Sequence, residues 1–163
     1  MVPVPNTFDN ILIGLVFLTW LIWRQLQARR ADRPPVVLLV ISALGAASLG
    51  FAIATTTPTS TAILLLATSF VAAGGFGVAR GYTMRIWRSD GTLWRQGNWL
   101  TAALWLISFG IHLGLDFAVD AVNSTRGLGS ASILLYLAVS LAAQRLTVRS
   151  RSHEALRKPS NAA

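Results

Sequence analysis

The sequence predicts an all-α integral membrane protein, a helical bundle of five transmembrane helices with a short β-hairpin-like cytoplasmic loop. Three observations predict it. Of 163 residues, 53% are hydrophobic and only 12% charged, about half the charged share of roughly 25% usual in soluble domains. The apolar residues collect into five runs close to the roughly 17–25 residues that a spanning helix needs. The basic residues, which dominate a net charge of +8, gather in alternate connections between those runs. So few polar side chains cannot cover a water-facing surface, which excludes most soluble enzyme classes. The chain has no cysteine, which excludes disulfides, thiolate metal sites and thiol redox chemistry.

The first span covers residues 8–23 and closes on Trp20, Trp23 and Arg24. No positive charge precedes it and no small-residue cleavage site follows, so it reads as an uncleaved span rather than a secretory signal. The second covers 36–54, with Asp32, Pro34 and Pro35 as a helix start, because proline's missing N–H is harmless in a first turn. The third covers 58–79, with Thr57 as its cap. The Thr-rich link 55–57 is so short that spans two and three form an antiparallel hairpin. The fourth covers 100–119 and the fifth 130–146. All five are apolar right round, as lipid-embedded helices are. Residues 1–148 thus form the transmembrane domain. The basic tail 149–163 reads as a short helical extension followed by disorder.

Orientation follows from Arg and Lys, which set topology far more than acidic residues do. Thirteen of the fourteen lie on one side, in the connection after span one, in the loop 80–99 and after span five. Arg126 alone lies on the other. This predicts a plasma-membrane protein with its N-terminus outside and its C-terminus in the cytoplasm. Interleaving with spans makes the charge a topology signal, so nucleic acid is not an expected partner. Anionic lipid headgroups are, at about 1 kcal/mol for each basic residue near the surface.

The cytoplasmic loop 80–99 contains Asp90-Gly91 between two short runs with aromatic and β-branched residues, a hairpin-turn signal. Alternation places Met84, Ile86 and Arg88 on one face and Thr83, Arg85 and Trp87 on the other. Trp87, Trp94 and Trp99 then sit at headgroup level beside Arg80, Arg85, Arg88 and Arg95, forming an aromatic belt with Trp20 and Trp23. A span, a basic loop with Arg80, Arg85 and Asp90-Gly91-Thr92, then another span resembles the CcdC-like family of small bacterial multi-pass membrane proteins. That resemblance implies a location and a span count. It implies no activity, because the family has none established.

Span four carries His112, Asp116 and Asp120 at i, i+4 and i+8, hence on one helical face. Ionisable groups inside a membrane are costly and raise a functional hypothesis. A His–Asp pair at this spacing suits a proton or ion relay. Arg126 is the ordinary ionic partner for Asp116 or Asp120, and no complete metal site is expected. Small-residue stripes predict close helix packing around Gly50 in span two, Gly77 in span three, and Gly110 and Gly114 in span four. A stripe left facing outward would favour a homo-oligomer. The expected function is a non-enzymatic scaffold or accessory subunit without a cofactor, acting through helix packing and the cytoplasmic loop. The alternative is a small transporter or proton-coupled subunit using the His112, Asp116 and Asp120 face.

Overall fold

A computed structural model describes Val16, Thr19, Trp23 and residues 26–30, 36–89, 91–122 and 128–157. In chain order its elements are strand β1 (Arg29–Arg30), helices α1 (Val36–Thr56) and α2 (Ser60–Thr83), strands β2 (Arg85–Ser89) and β3 (Thr92–Gln96), and helices α3 (Trp99–Val122) and α4 (Leu128–Arg157). All four helices are long and apolar enough to cross a membrane. The shortest has 21 residues, about 32 Å at 1.5 Å per residue, enough for a hydrocarbon core of about 30 Å. Phe51, Val71 and Phe117 are about three-quarters exposed, at 74%, 77% and 76%, as side chains pointing into lipid would be. Of the expected first span, Val16, Thr19 and Trp23 are helical; the rest lies outside the described residues.

Local chemistry fixes the helix ends, not always where the sequence suggested. The hydroxyls of Thr55 and Thr56 fold back on carbonyls of their own helix, 2.9 Å to Phe51 and 2.7 Å to Ala52. Thr57 then turns the chain with φ 41°, so it does not cap α2 as expected. Thr59 does, its Oγ1 accepting from the Ala62 amide at 3.2 Å. At the other end α2 continues four residues past the expected stop at 79, to Thr83. Its orphan carbonyls find Arg151 of α4, whose Nη1 donates to Gly81, Tyr82 and Met84 at 2.7, 3.1 and 3.1 Å. Asn98 caps α3: its Oδ1 accepts from the Thr101 amide at 3.0 Å, and Thr101 Oγ1 accepts from the Asn98 amide at 3.2 Å.

The longest helix, α4, is the hub. It packs along α2 and α1 and more lightly on α3, while α2 also packs along α3. The main partner of α1 is therefore α4, not the α2 that follows it across the tight link. Backbones meet closely where side chains are missing. A Cβ at Gly45 would lie 2.5 Å from the Leu135 amide nitrogen, and one at Gly129 would lie 2.9 Å from Asp116. A Cβ at Gly77 would strike the Ser140 carbonyl and lie 2.8 Å from Ala143 Cβ. Of the glycines expected to pack, Gly77 does so, as does Gly81 on the same stripe of span three, where a Cβ would lie 2.5 Å from Thr147 Cβ. Gly50, Gly110 and Gly114 have open space before them, because their faces of α1 and α3 point away from α4.

Residues 85–89 pair antiparallel with 92–96, Trp87 opposite Trp94, and Gly91 between them takes φ 71°. Thr83 ends the helix and Met84 is buried, so neither joins the strand alternation. The second edge of β3 takes β1, with Arg29 opposite Arg95 and Arg30 opposite Trp94. Two connections far apart in sequence thus close one three-stranded sheet. With Arg151 on the last turn of α2, the sheet and the C-terminal part of α4 lie at the same end of the bundle.

Gly77→Ala should lower the stability of the detergent-solubilised protein by about 1–3 kcal/mol, the range for overpacking a filled interface. Gly110→Ala should change it by no more than about 1 kcal/mol, in either direction. Thermal unfolding of the two variants side by side checks this contrast.

Candidate functional site

Three helices each contribute one polar or aromatic stripe, and the stripes meet. On α4, Ser132, Tyr136, Ser140 and Gln144 recur every fourth residue and are all buried. On α3, Trp105, Ser108 and His112 are buried and Asp116 is half-buried. On α2, Ser69 and Arg80 are buried. Ser132 to Gln144 alone covers about 18 Å of helix rise. The result is a polar column running most of the length of an apolar bundle.

At its centre is His112, with no exposed surface. Its Nδ1 lies 3.1 Å from Ser69 Oγ on α2. Its Nε2 lies 3.3 Å from Asp116 Oδ2 one turn along α3, close but not aligned as a hydrogen bond. Its ring stacks on Tyr136 of α4, centroids 4.0 Å apart and planes 16° from parallel. The tyrosine hydroxyl donates to the Ser108 carbonyl at 2.8 Å and meets the Ser108 hydroxyl at 2.5 Å. Ser132 donates to the Gly129 carbonyl at 2.7 Å, with a longer 3.5 Å contact to Asp116 Oδ1. Asp120 points elsewhere. Its Oδ1 accepts from the Gly129 amide at 3.4 Å, placing a carboxylate at the first turn of α4, where the helix dipole favours it. Arg126, the expected ionic partner, lies outside the described residues.

The second cluster overturns an expectation. Arg80 is not a loop residue at the interface but is fully buried inside the bundle. The extra turn of α2 swings it inward, and Gly77 and Gly81 on that helix let α4 approach closely enough to receive it. Its Nη2 donates to Ser140 Oγ, its Nε donates to the Phe76 carbonyl at 3.2 Å, and its guanidinium lies 3.8 Å above the Trp105 ring. Ser140 Oγ in turn donates a hydrogen bond to the Ala73 carbonyl at 3.0 Å. Next to them Gln144 donates to Met84 Sδ at 3.2 Å.

The rest of the expected loop does lie at the sheet. Arg85 and Arg88 are exposed, and Trp87, Trp94 and Arg95 are half-buried. The ladder puts Arg29, Arg88 and Arg95 on one face with Ile86 and Leu93, and Arg30, Arg85, Trp87 and Trp94 on the other. Gly91 makes the turn; Asp90 is outside the described residues.

Serine, histidine and aspartate side by side suggest two chemistries, acyl transfer and proton relay. Acyl transfer needs a reachable nucleophile and free amides to hold an oxyanion. Ser69 is 1% exposed and sits in mid-helix, where backbone amides are already bonded to the preceding turn. The array fits proton exchange between neighbours far better. With Ser69 as donor, His112 Nδ1 accepts and Nε2 carries its proton toward Asp116. Among the described residues, no group of three His, Cys, Asp or Glu side chains could hold a metal ion.

Sequence reasoning picked out His112 and Asp116 but missed Ser69, Trp105, Ser108, Ser132, Tyr136, Ser140 and Gln144. The fourfold spacing on α4 was a usable signal, hidden because serine, tyrosine and glutamine barely interrupt an apolar run. Compared with known proteins, the chain matches no family model, no curated protein and no solved structure.

Proposed function

We propose that the chain is a non-enzymatic accessory or scaffold subunit of the bacterial plasma membrane, of the CcdC-like kind. In this reading the three-stranded sheet faces the cytoplasm and is its contact surface. One observation carries the proposal: β1 joins the edge of β3, collecting basic residues from two distant connections at one end of the bundle. Removing Arg80 from the loop still leaves twelve basic residues on the cytoplasmic side against one outside. The half-buried Trp87 and Trp94 supply the amphipathic anchors that membrane interfaces and protein contacts share.

A photo-crosslinking side chain in place of Arg88, activated in native membranes, tests the contact role. The expected outcome is a discrete adduct to another membrane protein, abolished when Arg85 and Arg95 are changed to glutamate. Lipid adducts alone would overturn the scaffold role and leave the sheet as a headgroup anchor.

The buried Ser69–His112–Asp116 array favours a second reading, a proton-coupled subunit. Intramembrane ionisable groups facing a bundle interior are the usual parts of proton pathways. In proteoliposomes with an imposed potential, the wild-type chain should then take up protons, and His112→Asn or Asp116→Asn should cut the rate at least about a hundredfold, the low end of a proton-transfer group's contribution. Equal rates in wild-type and empty liposomes would remove this reading.

A further inference from the structure

A guanidinium with no exposed surface, enclosed among lipid-facing helices, needs its charge balanced. Arg80 has a serine hydroxyl, a backbone carbonyl and the face of Trp105. All of these are neutral. Among the described residues no carboxylate lies within ion-pair distance of it. Its Nη1 is buried and has no hydrogen-bond partner, and the same is true of Trp105 Nε1 in the ring directly beneath it. Each buried donor left unmade costs about 1–3 kcal/mol, more when it is charged, and an uncompensated buried charge costs several.

We propose that Arg80 and Trp105 form a binding site for a small monovalent inorganic anion such as chloride. One negative charge answers both deficits, because a halide accepts from Nη1 and from the indole N–H while balancing the guanidinium. A small ion is favoured over a lipid phosphate because both residues are almost completely enclosed, at 0% and 1% exposure. Arg80 lies one turn from the sheet end of α2, which ends at Thr83. The site is independent of the scaffold and relay readings, since neither uses Arg80 Nη1 or Trp105 Nε1.

Thermal unfolding of the purified full chain in a neutral detergent, in sodium chloride against sodium gluconate at equal ionic strength, tests the site. Chloride should raise Tm saturably and gluconate should not. Arg80→Gln, which removes the charge, should lose the chloride-dependent shift. Should that variant fail to fold, Trp105→Phe decides: the half-saturating chloride concentration should rise about tenfold, as expected for losing one hydrogen bond to an ion. Identical wild-type unfolding in the two salts, or an unchanged chloride response in a folded variant, would overturn the proposal.

Discussion

Polar groups inside a lipid-facing bundle must find their partners within the protein, because hydrocarbon offers none. In this chain that constraint is concentrated on Arg80. Its cationic side chain can reach Ser140 and Trp105 only if α2, α3 and α4 meet at one place. Gly77 and Gly81 permit that meeting by letting α4 come close to α2. The other members of the column follow the same logic. Ser69, Ser108, His112, Ser132 and Tyr136 are each held by a neighbour, most of them across a helix boundary. Apolar packing does not distinguish one helix from another in lipid, whereas hydrogen bonds and close backbone contacts do. The column therefore specifies that α2, α3 and α4 are neighbours, with four of its polar side chains on α4, while α1 joins α4 through the close approach at Gly45.

The end of the bundle beyond Arg80 depends on the same arrangement. Extending α2 to Thr83 brings its carbonyls to Arg151 and sets Met84 against Gln144. The strand that follows starts at Arg85, at the right height to meet β3, and β3 in turn recruits Arg29 and Arg30. One inward arginine thus links the membrane core to the surface sheet. The opposite end is simpler. Asp120 meets the start of α4, and Thr59 closes the turn into α2.

Most of the fold was legible in the sequence because apolar run length and charge segregation are strong, additive signals. Four expected spans coincide with observed helices to within a few residues at their starts. The ends were harder. The span before the basic loop seemed to stop at residue 79 because an arginine at 80 reads as interfacial, and only tertiary partners on α3 and α4 make its burial tolerable. Gly50, Gly110 and Gly114 misled for a related reason. A small residue permits a close approach, but only a partner helix makes one, and among the described residues no helix covers those faces. His112 and Asp116 stood out by charge. The neutral members of the column did not, since a serine inside a long apolar run costs little and leaves little trace.

Burial of Arg80 is the claim on which the rest turns, and it can be measured on the unmodified chain. Phenylglyoxal treatment of the folded protein, followed by mass-spectrometric mapping, reads the accessibility of each arginine. The account predicts rapid modification of Arg85 and Arg88, with Arg80 untouched until denaturing detergent opens the bundle. Modification of Arg80 in the folded protein as fast as Arg85 and Arg88 would contradict it.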